Sequence, residues 1–411
     1  MSARTKNAEL HPVARLPGDW SPVLAARGER SFRALEVFRW IHKRAELEPD
    51  QMTTLPKSLR TDLFAGASSI GRVDTIHRSS DDTRKMVVRL SDDAPIETVL
   101  IPRVSGPGSA AAIAAAEEDA DAAAAAEDEE DGDDEGSSPE EAAPIRVTQC
   151  ISTQVGCAMG CVFCASGVAG LKRHLGAEEI VGQVLLAKRV LDPGEQIRNV
   201  VYMGMGEPLH NYESTKRSLE LLTHPEGIAL SRRRITVSTS GLIPEIARLG
   251  EDFEGQIGLA ISLHAADDEH RSALMPINKK YPLVELMRAL RDYPLPRRRR
   301  ITIEYTLVRG QNDDPSEARK LARLLEGLRV KINLIPMNPI ASSDLGPPVM
   351  DRVLAFQEVL TMAGYSCFVR RRRGDDVAAA CGQLALLGAK PKVRTHLSLK
   401  PTTGPSKPVR E

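Results

Sequence analysis

Three cysteines fall within one stretch of eight residues, CAMGCVFC, which sets Cys157, Cys161 and Cys164 at the spacing C-x3-C-x2-C. Thiolates are ligands for iron–sulfur clusters and for zinc. A cube of four irons or a tetrahedral zinc ordinarily takes four protein ligands. Three cysteines leave one iron with an open position that a small molecule can fill; the alternative is a zinc completed by a distant His or Cys. The cysteines follow the β-branched run RVTQCIST, so they belong on a loop at a strand end. Cys150, Cys367 and Cys381 stand apart from this group. Viewed singly, such cysteines are usually inert packing, and Cys367 in the apolar run YSCFVR reads that way.

The elements that must position the cluster loop are visible from about residue 146 onward. RVTQCIST, NVVYMG, RITVSTSG, IGLAISLH, RITIEYTLV, VKINLIP and a last run YSCFVR are separated by helix-length segments. Strands alternating with helices imply a parallel sheet curled into a full or partial barrel, with chemistry where the strands end. Gln154, Gly204 to Glu207, Ser238 to Ser240, Ser262 to His264, Arg309 to Asn312 and Asn333 to Asn338 finish the first six runs. They are expected to share one mouth.

Five segments are expected in all: an accessory helical domain at 1–85, a strand pair at 86–103 (MVVRL and IETVLIP), a disordered acidic insertion at 104–144, a catalytic domain at 145–390, and a flexible tail at 391–411. The insertion carries 14 of the 56 acidic residues and none of the 55 Lys and Arg, so the rest of the chain is basic by 13. Its Ala, Asp and Glu runs cannot build a core. Much of the basic excess lies in three runs, Arg232 to Arg234, Arg297 to Arg300 and Arg370 to Arg373, which suit a polyanionic partner. No stretch of ~18 apolar residues suggests a membrane span, and the start lacks a secretory leader. A soluble, cytoplasmic protein is expected.

The blocks CISTQVGCAMGCVFC (150–164), MGMGEP (203–208), STSG (238–241), SLHA (262–265), MPINKKY (275–281), INLIPMNP (332–339) and RGDDVAAACGQL (373–384) make the chain resemble one family. These are the RlmN-type dual-specificity 23S rRNA and tRNA adenine C2-methyltransferases of the radical S-adenosylmethionine superfamily. The resemblance runs from about residue 20 to 390 outside the acidic segment. It implies an α/β fold, a partial (β/α)6 TIM-like barrel with a small N-terminal helical domain and a strand pair. It also implies a [4Fe-4S] cluster on Cys157, Cys161 and Cys164, with S-adenosylmethionine on the open iron and two molecules of it used per turnover. Gly206 and Glu207 would hold the methionine amino group, while Ser238, Ser262, Leu263, His264 and Asn338 would meet the ribose, adenine and carboxylate.

In the same resemblance Cys381 is the methyl carrier, Cys150 its resolving partner through a transient disulfide, and Glu97 an acidic residue assigned as proton acceptor. Adenine C2 has no nucleophilic character, so a covalent carrier and a radical replace direct displacement. The implied substrates are an adenine at the peptidyl transferase centre of 23S rRNA and one in tRNA anticodon arms. A flavodoxin- or ferredoxin-type electron donor and a monomeric state are implied as well. Methylation at C8, as in related antibiotic-resistance enzymes, and a non-catalytic RNA-binding metalloprotein are the alternatives.

Overall fold

The computed structural model describes residues 10–103, 144–341, 343–370 and 372–384. The expected acidic insertion, apart from Pro144, and the expected tail lie outside the described residues.

Helices α1 (Pro17–Ala25), α2 (Phe32–Phe38) and α3 (Lys57–Phe64) form the N-terminal part. Proline stands at the first position of α1, where its missing N–H costs nothing, and the Asp19 carboxylate accepts from the Leu16 N–H at 3.0 Å. Trp20, Leu24, Val37, Phe38, Leu59 and Leu63 are buried on the inner faces. This unit is docked firmly: the Phe38 ring lies between His42 and His224, at 4.4 and 4.6 Å, and Arg39 pairs with Glu226 at 2.6 Å.

Strands β1 (Arg72–Arg78), β2 (Arg84–Arg89) and β3 (Pro95–Pro102) make an antiparallel meander. Sequence reading expects a pair here, and the structure adds β1. RVDTIHR is almost wholly exposed and lacks the alternation that marks a half-buried strand. The meander is also not separate from the barrel. Strand β3 pairs antiparallel with β4 (Ile145–Cys150), setting Val99 opposite Cys150.

After β4, the two-residue strands β5 (Gln154–Val155) and β6 (Arg173–His174) pair around the cysteine loop and the short helix α4 (Ala165–Ala169). The barrel continues through β7 (Glu195–Tyr202), β8 (Ile235–Thr239), β9 (Gly258–Ser262), β10 (Ile301–Leu307), β11 (Val330–Pro336) and β12 (Ser366–Val369). From β4 onward these strands are parallel, giving the order β1-β2-β3-β4-β7-β8-β9-β10-β11-β12. The crossovers are α5 (Ala177–Lys188), α6 (Tyr212–Thr223), α7 (Ile243–Phe253), α8 (Asp268–Leu274) with α9 (Leu283–Asp292), α10 (Pro315–Leu324) and α11 (Met350–Met362).

The period of two along the strands divides convex from concave. In β11, Val330, Ile332 and Leu334 are buried beneath helices while Lys331, Asn333 and Ile335 are half-buried on the other face. In β8, Thr236 and Ser238 are the half-buried positions. The concave face is thus polar, and a ligand rather than a core would fill it.

No ladder joins β12 to β1 among the described residues. Side chains close that gap instead. After β12, Arg373 donates to Asp81 (3.1 Å to the carboxylate, 2.9 Å to the carbonyl) and to the Pro102 carbonyl at 3.2 Å. Asp376 accepts from Ser79 and from the Ser80 N–H. Burial acts against the Asp81 carboxylate, yet hydrogen bonds from Thr83, Ser79 and Gly374 outweigh it and hold the group at about 2.

Arg84 ties the meander to the barrel from within. Its side chain, 2 % exposed, meets Glu195 at 2.5 Å and Asp192 at 3.3 Å. Removing one member of a buried pair strands the other's charge. Arg84→Met is therefore expected to lower the unfolding free energy by roughly 3–5 kcal/mol, read from the urea midpoint.

Candidate active site

The cysteine loop is built from close backbone contacts that exclude side chains. A Cβ on Gly156, at φ +78°, would stand 1.9 Å from the Gly170 carbonyl oxygen. Its two stems therefore touch, and the Cys157 N–H donates to that same oxygen at 3.3 Å. Gly167 also packs on the Cys161 backbone, where a Cβ would stand 2.9 Å from its nitrogen and its carbonyl oxygen. Cys164 ends the loop as the residue that caps α4.

These three thiols bear on one another. Burial first, then the charge of Cys164, pushes Cys157 up to about 12. Cys161 is driven well above its ordinary value by burial, Cys164 and Cys157, and burial likewise raises Cys164. Thiolates so placed demand a cationic centre. Thiolates can hold either zinc or an iron–sulfur cluster, and in a cluster each takes a different iron.

Around this loop the strand ends converge. A Cβ on Gly206, at φ +109°, would lie 2.7 Å from Gln154 Cβ and 2.8 Å from its nitrogen. The Gln154 Oε1 accepts from the Glu207 N–H at 2.9 Å. Glu207 is buried; its two oxygens accept from the Ser240 and Leu209 N–H groups at 2.8 and 3.1 Å, and burial raises its pKa. The carboxylate thus joins the ends of β7 and β8.

Ser238 and Ser262 face each other across β8 and β9, Oγ to Oγ 3.5 Å. Leu263 is buried and donates its N–H to the Glu304 carbonyl. His264, at φ +57°, receives the Thr306 N–H on Nδ1 at 2.9 Å, and the Phe163 ring meets it edge-on at 4.8 Å. Burial and then Arg271 hold His264 down to about 3, so it is a neutral ring with its proton on Nε2. Asn338 donates to the Cys381 carbonyl at 2.9 Å, while its buried Oδ1 has no hydrogen-bond partner among the described residues. Such an acceptor is costly unless a ligand reaches it.

The separated cysteines meet here too. The loop of Cys381 is stitched to the cluster loop: Ala165 N–H donates to the Gly382 carbonyl at 2.8 Å and Ser166 Oγ to the Leu384 carbonyl at 2.6 Å. Cys150, at the end of β4, is pushed up to about 12 by burial and by Cys381. No disulfide joins the two; all six cysteines are free. Cys367 stays out of the mouth, buried in β12 opposite Ile332 on the convex side.

Glu97, 3 % exposed, projects from the face of β3 that carries Val99, and hence from the face of Cys150. Lys85 meets its carboxylate at 3.2 Å and also reaches the Ala378 carbonyl at 3.4 Å.

Two further residues organise the strand ends. Arg271, fully buried, donates to the carbonyls of Leu263 (3.1 Å) and Ser240 (2.7 Å) and to Asn278 (2.8 Å), knotting the ends of β8 and β9 to the block MPIN. Asn312 does the same for the His264 and Thr306 carbonyls, both at 2.7 Å. Asn312 belongs to the strand-end group read from the sequence, whereas Arg271, a single Arg outside a strand end, gives no signal of such a role.

Comparison with known proteins places this geometry. Residues 151–322 match the radical SAM superfamily and residues 21–68 the ribosomal RNA large subunit methyltransferase N-terminal domain. The dual-specificity RNA methyltransferase RlmN of Sorangium cellulosum (strain So ce56) is 73% identical over 394 residues, 95% of this chain and 100% of the relative. The chain belongs to the RlmN family. RlmN of Marinobacter nauticus is 43% identical over 364 residues, 87% of each chain. The crystal structure of a radical SAM methyltransferase from Sphaerobacter thermophilus superposes with a TM-score of 0.77 at 38% identity, covering 91% of this chain and 99% of that one. Membership implies a [4Fe-4S] cluster and S-adenosylmethionine, which the thiols and the unsatisfied Asn338 oxygen fit.

The contact of Gly206 with Gln154 supplies a test. Gly206→Ala must displace the 203–208 loop, and a misplacement of about 1 Å costs on the order of 10²-fold in rate. S-adenosylmethionine cleavage is expected to fall by that factor while the iron content stays that of the wild type.

Proposed function

We propose that the chain methylates C2 of an adenine in 23S rRNA, at the peptidyl transferase centre, and of an adenine in tRNA anticodon arms. The observation that carries this reading is the stitching of the Cys381 loop onto α4, one residue beyond a cluster ligand. A methyl carrier held there sits beside the radical source.

When bound, a [4Fe-4S] cluster on Cys157, Cys161 and Cys164 supplies the electron that cleaves S-adenosylmethionine to a 5′-deoxyadenosyl radical. Gly206, Glu207, Ser238, Ser262, Leu263, His264 and Asn338 bind and orient that cosubstrate. The Cys381 sulfur takes a methyl group from one S-adenosylmethionine by displacement, losing its proton. After a second one has removed a hydrogen atom from that methyl, its carbon bonds to C2 and joins protein to RNA.

The adduct must then lose both the C2 proton and its unpaired electron, and a cluster held by Cys157, Cys161 and Cys164 would take that electron back. The proton's acceptor is Glu97, on the same face and paired with Lys85, or Cys150, whose thiol burial pushes up to about 12. Attack of the Cys150 sulfur on the Cys381 sulfur breaks the bond to the bridging carbon, which keeps the electron pair and takes a proton to become the methyl group. The disulfide so formed is reopened by two electrons from outside. In this scheme two S-adenosylmethionine molecules serve each turnover, a flavodoxin- or ferredoxin-type protein supplies the reducing electron, and the chain acts as a monomer. No described helix is long and apolar enough to cross a membrane.

Two measurements test the scheme. Cys150→Ala is expected to accumulate RNA covalently attached through Cys381, and Cys150→Ala/Cys381→Ala to accumulate none. An uncrosslinked Cys150→Ala protein with its cluster intact contradicts the scheme. Nucleoside mass spectrometry of wild-type product is expected to show 2-methyladenosine; 8-methyladenosine alone would give the reaction to the C8 alternative.

A further inference from the structure

The end of the barrel away from the mouth carries a feature that methyl transfer does not use. Where β10, β11 and β12 begin, an open pocket of about 500 Å³ is lined by Arg297, Arg298, Arg299, Arg300 and Arg329, and by no acidic residue. Two of these arginines build its wall. Arg329 donates to the carbonyls of Leu295 (2.8 Å), Pro296 (2.9 Å) and Arg297, and half-buried Arg299 donates to the Gln256 carbonyl. Arg297, Arg298 and Arg300 are exposed, with one Arg300 nitrogen donating to Ser366 Oγ at 2.8 Å.

The same Gln256 accepts from Arg232 through its side chain at 2.9 Å. The charge of Arg233 also bears on Arg299. Two arginine runs far apart in sequence therefore form one basic surface across the starts of β8, β10 and β11. Five guanidinium groups gathered around one pocket make a surface suited to an anion. Their planar forks match the two free oxygens of a phosphodiester. Tyr365 is the one aromatic residue among the lining side chains, so the surface offers phosphate contacts rather than a pocket that reads bases.

Reach decides which RNA can use it. Seven-residue strands such as β10 separate the two ends of the barrel by about 23 Å. An RNA whose adenine occupies the mouth must pass the whole side of the barrel to touch this surface. We propose that the arginine surface at the strand starts is a second docking site, holding backbone phosphates of a large folded RNA while its reactive adenine sits in the mouth. The proposal rests on the reading of the chain as an RNA methyltransferase.

The test is the variant Arg297→Gln/Arg298→Gln/Arg300→Gln, which leaves Arg299 and Arg329 in place. Its binding to full-length tRNA and to a stem-loop too short to span the strands is measured across a salt series, with the methylation of Cys381 as a control on the mouth. Affinity for the long RNA is expected to fall at least about tenfold near 0.1 M salt, and the slope of log K against log salt to flatten by about 2. Affinity for the stem-loop and Cys381 methylation are expected to stay at wild-type values. Unchanged long-RNA affinity and slope overturn the proposal, as does an equal loss on both RNAs. A gain in RNA affinity that vanishes when residues 104–143 are deleted also overturns it, making the acidic segment the occupant. A wild-type chain that shows the long-RNA difference but methylates neither RNA would remove the enzyme reading and leave the docking surface standing.

Discussion

Three thiolates in a low-dielectric pocket are tolerable only when a cationic centre shares their charge, and most of this structure can be traced to that demand. Burial raises all three thiols, with Cys164 adding to the effect on Cys157 and Cys161, and Cys381 to that on Cys164. Their loop can bring them together because glycine occupies the points where its backbone touches itself, at Gly156 and Gly167. Extra positive charge comes from Arg271, which is buried, hydrogen-bonded to carbonyls and Asn278, and electrostatically coupled to Cys161. Buried charge of this kind is expensive unless partnered. A bound cluster would turn that expense into mutual stabilisation.

The barrel turns one charged loop into a site by ending its strands around it. Parallel strands bring every βα connection to one side, and here each end is tied to the next by side chains rather than left to loop conformation. Glu207 joins β7 to β8, Arg271 joins β8 to β9, and Asn312 joins the turns after β9 and β10. Among the described residues the sheet does not close by hydrogen-bonded strands. Closure by Arg373 and Asp376 against the β1–β2 turn places the segment bearing Cys381 over the mouth, and that segment is in turn fastened to α4. One short peptide thereby bridges the gap in the barrel and carries Cys381.

How much of this the amino-acid sequence discloses follows from the range of each interaction. The parallel strands are legible because alternation such as VKINLIP records which face is buried, and the strand-end polar residues mark the mouth. The cluster loop is legible because its three ligands are neighbours in the chain. Strand β1 is not, since an exposed edge strand needs no pattern. Lys85 and Arg271 are not legible either; their partners are backbone carbonyls, a side-chain amide or a carboxylate brought close by folding alone. The arginine runs before β8 and β10 were visible as charge, but their merger through Gln256 belongs to the tertiary structure. Cys150 and Cys381 gain meaning only from family resemblance and from the fold that brings their surroundings together.

Spectroscopy of the anaerobically reconstituted chain tests the central claim most directly. Cysteine ligation of a cluster with one open iron predicts about four irons and four sulfides per chain, with thiolate-to-iron absorption near ~400 nm. It further predicts that adding S-adenosylmethionine changes the electron paramagnetic resonance spectrum of the reduced cluster. A colourless protein holding one zinc, or a cluster whose spectrum ignores S-adenosylmethionine, would contradict it.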